Sequence, residues 1–69
     1  MFTIDRIDPH AHALEAWRDA EQLVCTRWDV FLKAEPEARR FAFASYAAAV
    51  DAEEAAATEL ASLAFRIAA

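Results

Sequence analysis

Three carboxylates sit among apolar residues in this chain: Glu21, and the adjacent pair Glu53 and Glu54. Carboxylates projected inward from facing helices hold paired iron or manganese ions in ferritin-like bundles. That chemistry also draws on a histidine three residues after a ligating glutamate. Here the residues three on are Ala56 and Ala57. The pattern therefore favours glutamates at the edges of an apolar stripe, reaching water or pairing with Arg18 or Arg27. A carboxylate metal-binding bundle built on Glu21, Glu53 and Glu54 is the alternative.

The other reactive side chains are few. His10 and His12, with Asp8 or Glu15, could offer a zinc ion its ligands. Their spacing is not the i,i+4 pattern that sets two ligands on one helical face, so they read as solvated first-turn residues. Cys25 lies about four helical turns from either histidine, too far for a base to activate it. It reads as a small apolar residue with an inert thiol. The chain has no glycine, hence no glycine-rich phosphate loop, and it shows no Ser-His-Asp set. These residues predict no catalytic site and no cofactor.

The elements that position them follow from the same composition. Glycine serves tight turns, bulges and left-handed caps, and its absence argues against a β-rich or loop-rich fold. Roughly a quarter of the residues are alanine, far above ordinary usage and the best helix former. The two prolines, Pro9 and Pro36, stand where helices begin. Asp8 can accept from the free N–H groups of a first turn, and proline suits the first helical position. Pro36 disfavours helical geometry at Glu35, and Lys33 suits the negative end of a helix dipole. The reading is a first helix over 8–34 and a second over 36–67, each about 40–45 Å long at 1.5 Å per residue. Residues 1–7 alternate apolar and polar and are read as an extended arm, with a frayed extra turn as the competing reading. Equal helices and a short connection suit an antiparallel hairpin, although Pro36 could instead only kink one long helix.

Folding back near Glu35–Pro36 sets Glu21 level with Val50 and Trp17 level with Glu54, so the three carboxylates fall within about one turn. On the first helix, Ala13, Leu14, Trp17, Ala20, Val24, Trp28 and Phe31 share a face. Leu23 and Val30 flank it on one side, Cys25 and Leu32 on the other. The main stripe of the second helix is Ala42, Phe43, Tyr46, Ala49, Val50, Ala56, Ala57, Leu60, Leu63, Ala64 and Ile67, with Phe41 and Phe65 off its centre. The first helix's apolar arc spans roughly 200°, where one partner helix needs only a little over 100°. A two-fold dimer forming a four-helix bundle could bury both faces. Core and interface are then nearly one set: Leu14, Trp17, Val24, Trp28, Phe31, Phe43, Tyr46, Val50, Leu60, Leu63 and Ile67.

Size and charge point the same way. At 69 residues a lone core is marginal and wants a disulfide, a metal or self-association. One cysteine cannot form an internal disulfide. The net charge is −5 and the seven basic residues are scattered, which argues against nucleic acid. No apolar run approaches the roughly 20 residues of a membrane span, and no targeting signal is visible at the N-terminus. A lone thiol fits a reducing compartment, so the expected location is cytoplasmic. The expectation is an all-α hairpin, dimerising into a four-helix bundle. It would act as a non-catalytic interaction or regulatory module whose partner is itself, with another protein as the second candidate.

Overall fold

The computed structural model describes residues 8–68. The expected arm over 1–7 and the side chain of Ile67 lie outside the described residues. The described residues form an all-helical hairpin: α1 covers Pro9–Lys33, a short 3-10 turn covers Pro36–Ala38, and α2 covers Arg39–Ala68.

The N-terminus of α1 forms as its residues dictate. Asp8 is extended (φ −79°, ψ 119°) and its carboxylate accepts from the His10 N–H at 3.1 Å. This satisfies one of the four N–H groups that a helix start leaves free. At the other end, Ala34 is the cap rather than the last helical residue, and its N–H donates to Phe31 O at 3.2 Å. Lys33 pairs with Asp29 at 2.9 Å on the exposed face, a pair of about 0.3–0.5 kcal/mol at most.

The reversal needs no glycine because it uses no left-handed residue. Ala34 (φ −72°, ψ 143°) and Glu35 (φ −67°, ψ 155°) are both extended, and no described residue has positive φ. Proline enforces this at Glu35, since its ring excludes helical geometry from the residue before it. Pro36 then starts the 3-10 turn with its φ already set for a helix. The Arg39 guanidinium reaches back to Ala34 O at 3.4 Å, touching a carbonyl that α1 leaves open. Two extended residues and a proline-led turn thus decide between hairpin and kink, in favour of the hairpin.

The two helices meet along a seam with spacings of three and four. On α1 the least exposed positions include Ala13, Trp17, Ala20, Val24, Phe31 and Ala34. On α2 they include Ala42, Tyr46, Ala49, Glu53, Ala56, Leu60 and Leu63. That is the 3.5-residue period of helices packed side by side in a shallow supercoil. One position in each heptad is mostly alanine, which lets the backbones come close. Ala13 and Ala49 are the two fully buried residues among those described, at 7% and 4% exposure. Among the described residues no large side chain is fully buried. Geometry explains this: one helix pair has a single seam, so a large side chain meets a partner on one side and water on the others.

Candidate interaction surface

At the turn end of the hairpin the sequence places four aromatic residues on facing turns. Trp28 and Phe31 lie on α1, Phe43 and Tyr46 on α2. Trp28 packs on Tyr46 with ring centroids 4.9 Å apart and on Phe31 at 5.3 Å. Phe43 meets Phe31 edge-on at 5.5 Å and lies 6.0 Å from Tyr46. These separations and tilts are the ones aromatic quadrupoles favour. The cluster ties the helices together and also breaks the surface. Trp28, which the helical wheel sets mid-stripe, keeps 41% of its area exposed, and Phe43 keeps 51%.

Other apolar side chains extend the exposed area. Leu32 lies one turn beyond Trp28 and is exposed. On the opposite face Val30 and Phe41 border a shallow groove of ≈ 530 Å³ that Ala34, Ala38 and Ala42 floor. Leu23 and Phe65 are exposed as well. Single exposed apolar residues are ordinary, but a cluster of large ones is the mark of a binding surface.

The carboxylates that suggested metal chemistry are not gathered. Glu53 alone points along the seam, and there its Oε2 accepts from the Trp17 indole N–H at 2.7 Å. Equal pairing from the turn places Glu54 opposite Trp17, but the partner is Glu53, because position 53 shares the heptad stripe of Tyr46 and Leu60. Glu21 and Glu54 are exposed. Among the described residues no three of His, Cys, Asp or Glu come together as an ion would require. His12 and Cys25 are exposed, and His10 is half-buried beside the helix start.

The Trp17–Glu53 bond carries a testable cost. Glu53→Gln keeps a carbonyl for the indole and should change stability by under about 0.5 kcal/mol. Glu53→Ala leaves a half-buried donor unpaired and should cost about 1–2 kcal/mol. Thermal melts of the two variants side by side check this, and equal effects would mean the bond contributes nothing.

Of the residues expected to form core or interface, Leu14, Trp17, Val24, Phe31, Tyr46, Val50, Leu60 and Leu63 are half-buried. Trp28 and Phe43 stand at the rim. The wheel did not single out Ser45, Ala47 or Ala34, which are also half-buried. Small residues give little hydrophobic signal, though their heptad spacing was there to be read. Among the described residues no helix is long and apolar enough to cross a membrane. Comparison with protein-family models, curated proteins and solved structures finds no match.

Proposed function

We propose that this chain is a small, non-catalytic interaction module that works as a homo-oligomer, two hairpins closing into a four-helix bundle. One observation carries the reading. The hairpin buries only two alanines fully among the described residues, while Trp28, Leu32 and Phe43 stay 41–60% exposed. Each large apolar side chain is worth about 1.5–3 kcal/mol when fully buried. A chain of this size has little stability to lose. A second hairpin laid on the exposed face offsets that deficit without a disulfide or a metal.

An interaction role also fits the surface chemistry. Aromatic residues dominate binding energetics, and here four of them cluster at one end. The net charge of −5 leaves a basic protein as the natural second partner for the remaining surface.

The test is thermal unfolding followed by circular dichroism over a hundredfold range of protein concentration. An oligomer gains stability by mass action, so its melting temperature should climb with concentration. A melting temperature independent of concentration, with a cooperative transition, contradicts the proposal. Added Zn²⁺, Mn²⁺ or Fe²⁺ is expected to leave the melting temperature where it was.

A further inference from the structure

Beside the seam that packs on α1, α2 carries a second heptad stripe. Arg40, Ala47 and Glu54 occupy one of its positions, and Phe43, Val50 and Ala57 the other. Spacings of three and four residues set all six on one side of the helix. Phe43 belongs both to this stripe and to the aromatic cluster, so the stripe lies on the cluster's side of the hairpin. Ala47, Phe43, Val50 and Ala57 are apolar, Arg40 and Glu54 are charged, and Ala61 and Ala64 continue the two positions beyond them. Arg40 precedes Ala47 by as many residues as Glu54 follows it, about 10 Å each way at helical rise. Both charged residues are exposed. Among the described residues Lys33–Asp29 is the one ion pair found, so neither charge is paired with another described residue.

A stripe with opposite charges at equal distances from its centre is its own complement when reversed. We propose that a second copy of this chain docks here with α2 antiparallel to α2, the two-fold axis passing near Ala47. The inference rests on the self-association proposed above and adds the face and direction of docking. Reversal brings Arg40 of each copy within a helical turn of Glu54 of the other, twice by symmetry. Phe43 then falls beside Val50 and Ala47 of the second copy, and the small Ala47 and Ala57 let the helices approach.

The same axis constrains α1. Trp28 packs level with Tyr46, and Trp17 is level with Glu53. Ala47 is therefore level with the turn of α1 around Cys25, which is exposed. Antiparallel docking lays α1 against α1 of the second copy with the two Cys25 thiols near the axis. The other two-fold arrangement, with both turn ends together, instead sets Cys25 over Ala47 of the second copy. It also leaves Arg40 about 20 Å from Glu54 of the second copy.

Charge reversal and cross-linking test the proposal on the intact chain, with circular dichroism verifying that each variant is helical. Arg40→Glu and Glu54→Arg should each weaken dimerisation about tenfold or more, since each sets like charges together at two places. The double variant should return to within a few-fold of the parent. An ethylene-bridged bis-maleimide should yield covalent dimer, and Cys25→Ala should abolish it. A species that is dimeric by mass, yet gives no Cys25 cross-link and no rescue in the double variant, overturns this docking and leaves self-association standing. A monomeric mass overturns both.

Discussion

Trp28→Ala is expected to dissolve the assembly and most of the helical signal with it, at a cost of about 3–5 kcal/mol. The size of the loss is what decides. In the lone hairpin Trp28 is 41% exposed and leans on Phe31 and Tyr46. Contacts so partial would be worth well under a full tryptophan burial, about 1–2 kcal/mol by area. The larger figure arises only when a second copy covers the exposed part of the ring. Asp29→Ala, one residue along, removes only the surface pair with Lys33 and should shift stability by under about 0.5 kcal/mol. Urea titrations of the two variants against the parent give both numbers. A Trp28→Ala loss near 1 kcal/mol with unchanged mass would mean that nothing packs on that ring.

Ala49→Leu is expected to be nearly as damaging for the opposite reason. Ala49, on the α1-facing seam, is the least exposed of the described residues at 4%. A leucine there has no room, and overpacking of a tight seam costs about 1–3 kcal/mol through displaced helices and strained rotamers. Ala48→Leu makes the same change on the exposed back of α2 and should alter stability by under about 0.5 kcal/mol. Thermal melts of the pair separate packing from helix propensity, which the two substitutions change equally. A harmless Ala49→Leu would contradict the close approach of the helices.

The helix boundaries were legible because they rest on local chemistry. Asp8–Pro9 is a cap followed by a residue already set for a helix, and Glu35–Pro36 is a stop followed by a start. Neither depends on distant contacts. The reversal was harder to read, since a proline can also merely kink one long helix. Two extended residues before a proline-led turn reverse the chain with no left-handed conformation. The wheel found the stripe but not its rim. Trp28 and Phe43 lie within the apolar arcs but flank the seam of three- and four-residue spacings, whereas Glu53 lies on it and accepts from Trp17. What covers the exposed aromatic face is not a property of one chain's periodicity.

Sedimentation equilibrium on the untagged protein at micromolar concentration decides whether the hairpin pairs with itself. The expected mass is twice that of the 7.7 kDa chain, dissociating on dilution together with loss of helix. A stable species of 7.7 kDa that keeps its helix content on dilution and unfolds cooperatively would contradict it.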